Sequence, residues 1–85
     1  MIIDFHKRFV KQYDKLPTKL QQKFDDKLEI FMKDPTAPEL NNHTLHGKYL
    51  GCRSINVTGN IRVIYEIKAN GIRLLKIGSH SELYE

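Results

Sequence analysis

Apolar residues recur at helical spacing up to about residue 33, and after that the pattern changes to alternation. Two helices are predicted, the first ending near Leu16, because Pro17 disfavours a helical conformation in the residue before it. The stripe of the first helix is Phe5, Phe9, Val10, Tyr13 and Leu16. The second helix, over about residues 18–33, has the stripe Leu20, Phe24, Leu28 and Phe31. Thr18 and Gln21 stand at the spacing of a capping box at its start.

Strands are predicted on both sides of this helical region. Residues 2–5 are consistent with an edge strand or first strand, and the alternating segments are Cys52–Val57, Ile61–Ile67 and Ile72–Ile77. The segments between them, 58–60 and 69–71, have the composition of hairpin turns, with Asn-Gly the stronger signal. The predicted fold class is therefore α+β in one domain over residues 1–85, with two N-terminal helices packed on an antiparallel β-sheet. The other face of the sheet, or its edge, is expected to stay open.

Alternation within these strands separates an inner from an outer face. Ile55 and Val57 are expected in the core, so that Ser54 and Asn56 point away from it and Arg53 lies on the inner side. Gly78 is expected to end the pairing of the last strand and to leave the following residues at a strand end.

Composition narrows the class of protein. The chain has 85 residues, 14 Lys+Arg against 10 Asp+Glu and one cysteine, so it carries a net charge of +4 and cannot form an internal disulfide. No apolar segment is long enough for a membrane span, and no signal peptide is visible, which predicts a cytoplasmic protein. Most of the excess positive charge lies after residue 42, and a small basic domain favours a polyanionic partner held in a surface groove.

Several side chains of the second half could act on a phosphodiester. Arg62 is suited to bind phosphate through its planar fork, unless it pairs with Glu66 on the same face. His80 can transfer protons near neutral pH, and His43 and His46 could lie close to it. The residue Tyr84 could stack on a base or simply cover the edge of the core. Zinc and serine-hydrolase sites lack their usual motifs.

The order of three segments resembles the RelE/ParE superfamily of bacterial toxins, and within it the YafQ-type mRNA interferases. The segments are Leu45-x-Gly47-x4-Cys52-Arg53-Ser54-Ile55-x-Val57, then residues 61–67, then Leu74-Leu75-x-Ile77-Gly78-Ser79-His80-Ser81-Glu82-Leu83-Tyr84. The resemblance covers about residues 40–85. It implies a twisted sheet related to that of microbial ribonucleases.

The same resemblance implies ribosome-dependent cleavage of mRNA without a metal ion or other cofactor, by attack of a 2′-hydroxyl on the adjacent phosphate. The implied catalytic set is His80 as general acid or base, His43 as its partner, Arg62 as the group that stabilises the transition state, and Tyr84 as the stacking group. The expected RNA-binding residues are Lys48, Arg53, Asn56 and Lys76. The sequence departs from the YafQ pattern at Asn56, which replaces a histidine, and at Asn60, which replaces an aspartate.

The partners implied by the resemblance are a cognate antitoxin, the ribosome, mRNA in its A site, and operator DNA reached only through the antitoxin, with no membrane partner. Two alternatives remain open at this point. A ParE-type toxin would inhibit DNA gyrase by binding, and a degenerate toxin fold would bind its partners without catalysis. The histidine and tyrosine of the C-terminal motif disfavour the first alternative, whereas Asn56 and Asn60 make the second conceivable.

Overall fold

A computed structural model describes residues 1–84 of the chain. The helices are α1 (Lys7–Asp14), α2 (Thr18–Lys33) and α3 (His80–Tyr84). The strands are β1 (Ile2–Phe5), β2 (His43–Thr44), β3 (Cys52–Asn56), β4 (Ile61–Lys68) and β5 (Gly71–Ser79). Two 3₁₀ turns, Pro38–Leu40 and Gly47–Tyr49, lie in the connections on either side of β2. The predicted α+β class is confirmed.

The two N-terminal helices pack through the aromatic residues of their predicted stripes. The ring of Phe9 lies 5.7 Å from Phe5 and 5.4 Å from Phe24, between centroids. The predicted capping box at the start of α2 is wrong, because Pro17 is the N-cap and no side chain caps the helix there. The Gln21 amide instead donates to the backbone carbonyl of Tyr13, at 2.9 Å, and so ties α2 to the end of α1.

The sheet has the strand order β1-β5-β4-β3-β2. The meander of β3, β4 and β5 is antiparallel, as predicted, and β2 pairs antiparallel with β3. The sheet is mixed rather than antiparallel throughout, because β1 runs parallel to β5, with Ile2 opposite Gly71. The two helices between β1 and the meander allow this parallel return, since a tight hairpin cannot join parallel strands.

The helix-facing side of the sheet holds the main core. Its buried strand residues are Ile55, Val57, Ile61, Val63, Tyr65, Ile72, Leu74 and Ile77. The opposite side, called the outer face below, is covered in part by a second apolar cluster of Leu45, Ile64 and Leu83. The expectation of an open outer face is therefore wrong at this end of the sheet. Ser54 points away from the main core as predicted, yet it is buried beneath the outer cover.

The helices of residues 1–84 include none that is both long and apolar enough to cross a membrane.

Candidate functional site

Cross-strand pairing arranges the polar residues of the outer face in two neighbouring rows. Asn56 lies opposite Arg62, which in turn lies opposite Gly78. The next row is His43, Ser54, Ile64 and Lys76, on β2, β3, β4 and β5. Directly paired residues share a face of the sheet, so each row presents its side chains to the same side.

A bulge in β5 brings Lys76 to the outer face. The register between β4 and β5 shifts at Ile64 and Tyr65, so that Ile64 is paired with Lys76 and Tyr65 with Leu74. Leu75, the extra residue, packs on the outer cluster, while Lys76 reaches a neighbouring aromatic residue on the same face. A bulge re-aims side chains in this way because two residues of one strand oppose one of the other.

The C-terminal segment that carries His80 is folded by a capping box that the sequence prediction missed. The Ser79 amide donates to the Glu82 carboxylate at 2.8 Å, and the Glu82 amide donates to the Ser79 hydroxyl at 3.2 Å. This is the reciprocal pair that begins a helix. The prediction that Gly78 ends the pairing is wrong, since β5 runs on to Ser79. The Ser-x-x-Glu spacing in residues 79–82 was the available signal.

Gly78 lets this helix fold back on the sheet. A Cβ at Gly78 would lie 3.3 Å from the Glu82 carboxylate and 3.6 Å from the Leu83 side chain. Leu83 is buried in the outer cluster and anchors α3.

His80 and Tyr84 meet on the exposed side of α3. Their ring centroids are 4.7 Å apart, and His80 is exposed whereas Tyr84 is half-buried. The backbone amide of His80 donates to the carbonyl of Asn60 at 3.0 Å, which joins α3 to the turn before β4. Tyr84 packs against the outer cluster, as one of its two interpretations predicted, and its ring is tilted at 48° to that of His80. Stacking of Tyr84 on a base stays a prediction.

Arg62 lies at the same end of the sheet. Its guanidinium donates to the Gly59 carbonyl at 3.1 Å, and the alternative pairing with Glu66 is wrong, because Glu66 forms its ion pair with Lys68 at 2.9 Å. Within residues 1–84, three buried polar atoms of these two rows have no hydrogen-bond partner. They are Ser54 Oγ, Asn56 Oδ1 and Arg62 Nε.

Tyr49, which the sequence analysis did not select, connects Lys76 and Lys48 to this site. Lys76 Nζ donates to the hydroxyl of Tyr49 at 2.9 Å, and Lys48 Nζ lies 5.2 Å from the centre of the Tyr49 ring. Tyr49 contacts Tyr84 edge-on, with centroids 5.7 Å apart. Lys48, Lys76, Tyr84 and His80 therefore form one connected surface around Tyr49.

The structure does not bring His43 to His80. His43 lies on β2 and His80 follows β5, so three strand spacings of about 4.8 Å separate them before their offset along the strands is added. Direct proton exchange between the two imidazoles is excluded at that distance. The His43 ring contacts the carbonyl of Asn41 at 2.7 Å, and His46 is exposed in the connection after β2.

Arg53 also lies away from this surface. It is paired with Tyr65 on the helix-facing side, and its guanidinium donates to the Asn42 side chain at 2.8 Å. The Tyr65 hydroxyl bonds the same amide, and Asn42 donates to the carbonyl of Pro35 at 3.0 Å. Arg53 therefore helps to fix the connection before β2, and its position gives no support to the prediction that it binds RNA.

Chemically, the assembled surface offers an imidazole that can transfer a proton, cations held by hydrogen bonds, and aromatic rings in tilted and edge-on contact. The carboxylate of Glu82 is held in its cap by the Ser79 amide and hydroxyl, which lower its pKa. Among residues 1–84, no three His, Cys, Asp or Glu side chains come together as a possible metal site. The arrangement suits binding of a phosphodiester next to an exposed base.

Comparison with known proteins gives a match over the whole chain. The family model for the YafQ-type bacterial toxin of type II toxin-antitoxin systems matches residues 1–85. A search of curated proteins returned no match. Among solved structures, YafQ from Escherichia coli is similar at 17% identity over 99% of this chain and 98% of that chain, with a TM-score of 0.85.

Two further solved structures extend this comparison. A conserved hypothetical protein of Helicobacter pylori is 32% identical over 96% of this chain and 97% of that chain, with a TM-score of 0.64. The DinJ-YafQ complex of Escherichia coli contains a chain that is 18% identical over 99% of this chain and 98% of that chain, with a TM-score of 0.71.

Proposed function

This chain belongs to the YafQ family of bacterial type II toxin-antitoxin toxins, and we propose that it is an endoribonuclease that cleaves mRNA in the ribosomal A site. A cognate antitoxin would hold it inactive, and operator DNA would be reached only through that antitoxin. The solved complex of YafQ with DinJ supports the antitoxin partner by analogy.

The observation that carries the proposal is the exposed His80 ring against Tyr84, on the face to which Lys76 and Arg62 project. Histidine is the side chain best suited to give and take protons at cellular pH, and an exposed one is accessible to a substrate. Cations on the same face can stabilise the charge that develops on a phosphate under attack. An aromatic ring next to the imidazole can stack on a base and orient the phosphate.

The proposed reaction needs no external nucleophile. A 2′-hydroxyl of the RNA attacks the adjacent phosphorus and loses its proton, the bond to the 5′ oxygen breaks, and that oxygen takes up a proton. The products are a 2′,3′-cyclic phosphate and a 5′-hydroxyl. His80 transfers one of the two protons, and Arg62 and Lys76 stabilise the transition-state charge. Because the RNA itself supplies the nucleophile, the step does not require a metal-activated water.

The remaining candidates take binding roles in this proposal. Lys48 and Asn56 would contact the RNA backbone, and His43 would lie farther along the bound strand rather than beside the scissile phosphate. Neither Asn56 nor Asn60 can transfer a proton, so the chemistry rests more heavily on His80.

The test is primer extension on mRNA bound to programmed ribosomes, with ribosome-free RNA in a parallel arm. His80→Ala should reduce cleavage by about 100-fold or more, the usual contribution of a general acid or base. His46→Ala is the matched control, because His46 is also exposed but lies outside the cluster. Equal rates for the two variants would remove His80 from the mechanism. A folded wild-type protein that makes no cuts would instead favour gyrase inhibition or binding without catalysis.

A further inference from the structure

We propose that Tyr49 is a positioning residue of this site, whose hydroxyl holds the Lys76 ammonium and the C-terminal helix in one arrangement. The inference rests on the proposed ribonuclease function and adds a residue that is neither a proton donor nor an RNA ligand in it. Tyr49 is half-buried at the end of the 3₁₀ turn over Gly47–Tyr49, within the connection between β2 and β3.

The hydroxyl makes two hydrogen bonds in series. Lys76 Nζ donates to it at 2.9 Å, and it donates in turn to the backbone carbonyl of Leu83 at 2.7 Å. A bond from an ammonium polarises the hydroxyl and strengthens the bond that the hydroxyl donates. One oxygen atom therefore links the cation of β5 to the backbone of α3.

The bond to Leu83 has a structural reason. The last carbonyls of a helix have no partner within the helix, and α3 has only five residues, so nearly all of its carbonyls need partners elsewhere. Tyr49 supplies one of them. It does so next to the buried Leu83 side chain, the apolar anchor of the same helix.

The Tyr49 ring also contacts the aromatic pair of the proposed site, Tyr84 and His80, through Tyr84. Tyr84 meets the Tyr49 ring at an interplanar angle of 87°, and His80 lies on the far side of Tyr84 with its ring 4.7 Å away. A movement of Tyr49 would thus be passed through two successive aromatic contacts, by way of Tyr84, to His80 and through one hydrogen bond to Lys76. These are two of the groups that must face the same phosphate.

Tyr49→Phe separates these effects, because it removes the hydroxyl and keeps the ring. Tyr13→Phe is the matched control, since it deletes the same atom from a tyrosine of α1 that bonds Asp25 at 3.0 Å on the other side of the sheet. We expect kcat for RNA cleavage on ribosomes to fall about 10- to 100-fold in Tyr49→Phe with little change in KM, because misplacement of catalytic groups acts on the reacting geometry. The control should keep the wild-type kcat.

A double-mutant cycle with Lys76→Met decides whether the hydroxyl acts through Lys76. If it does, Tyr49→Phe should lower kcat far less in the Lys76→Met background than alone. Full additivity of the two losses, or an unchanged kcat in Tyr49→Phe, would overturn the inference.

An NMR measurement keeps the inference testable apart from catalysis. The Tyr84 ring should displace the proton resonances of His80 by its ring current, and Tyr49→Phe should reduce that displacement while Tyr13→Phe leaves it unchanged. Unchanged His80 resonances in Tyr49→Phe would refute the positioning role even where cleavage is reduced. If wild-type protein shows the ring-current effect but cuts no RNA, the ribonuclease proposal fails and this structural link stands.

Discussion

Gly71 lies opposite Ile2 in the pairing of β1 with β5, and its replacement by alanine is expected to displace the edge strand. A Cβ at this position would overlap the Ile2 carbonyl oxygen and would lie 2.7 Å from both the Ile2 carbonyl carbon and its amide nitrogen. These are backbone atoms, so no side-chain rotation relieves the overlap. The strand must move away from β5.

The loss of stability in Gly71→Ala depends on the contacts that this movement of β1 disturbs. The parallel pairing of Ile2–Phe5 with Gly71–Leu74 would loosen, together with the contact of the half-buried Ile3 with the core. Overpacking of this kind typically destabilises a protein by about 1–3 kcal/mol, and we expect the upper part of that range because backbone rather than side chain must yield. For a domain of this size the melting temperature should fall by roughly 10–20 °C.

The assay is urea and thermal unfolding followed by far-UV circular dichroism, with Gly59→Ala as the matched control. Gly59 lies in the other hairpin connection of the meander, and a Cβ there would meet no atom within 4 Å. The control should change the free energy of unfolding by less than about 1 kcal/mol. Equal stabilities for the two variants would show that β1 does not lie against Gly71.

Two further predictions concern titratable groups. Burial, and then the nearby Glu66 carboxylate, raise the pKa of the Cys52 thiol, so its contribution to stability should be lost as the pH rises above about 8.5. Glu66→Gln should speed alkylation of Cys52 at pH 8 by at most about fivefold, and no acceleration over a Glu29→Gln control would contradict that cause. The Ser79 amide and hydroxyl lower the pKa of Glu82, so the cap that its carboxylate makes on Ser79 should persist above about pH 4.3 and be lost as the pH falls through the lowered value. The protection factors of the α3 amides, which compare the intrinsic with the observed exchange rate at the same pH, should fall in that range, and pH-independent protection factors would refute the cap.

The spacing of apolar residues was sufficient to predict the elements in which that spacing is regular over many residues. The second helix begins and ends where its stripe predicts, and the antiparallel meander follows the alternation and the turn composition. The Asn70-Gly71 pair located its hairpin correctly, but not because the turn needs the positive φ angles that favour Asn-Gly. No positive φ occurs at Asn70 or Gly71, and Gly71 is instead required by the close approach of β1.

The missed features depend on contacts between distant parts of the chain or on segments too short to show a period. The direction of β1 is set by its pairing with β5, and β2 has only two residues. Burial of Ser54 depends on distant parts of the chain that cover the outer face, which alternation within β3 cannot reveal. Likewise Tyr49 acquires its partners only when the connection after β2 meets the C-terminal helix.

The parallel pairing of β1 with β5 also has a kinetic consequence. Ile2 lies opposite Gly71, so this contact closes a far longer loop than the neighbouring hairpins β3–β4 and β4–β5. Closing a longer loop loses more chain entropy, and local contacts therefore tend to form first. We expect β1 to dock late in folding, so that changes at this edge mainly accelerate unfolding and leave the folding rate nearly constant. Because β3, β4 and β5 pair with one another without β1, fraying at that edge leaves the strands beneath the outer face in register.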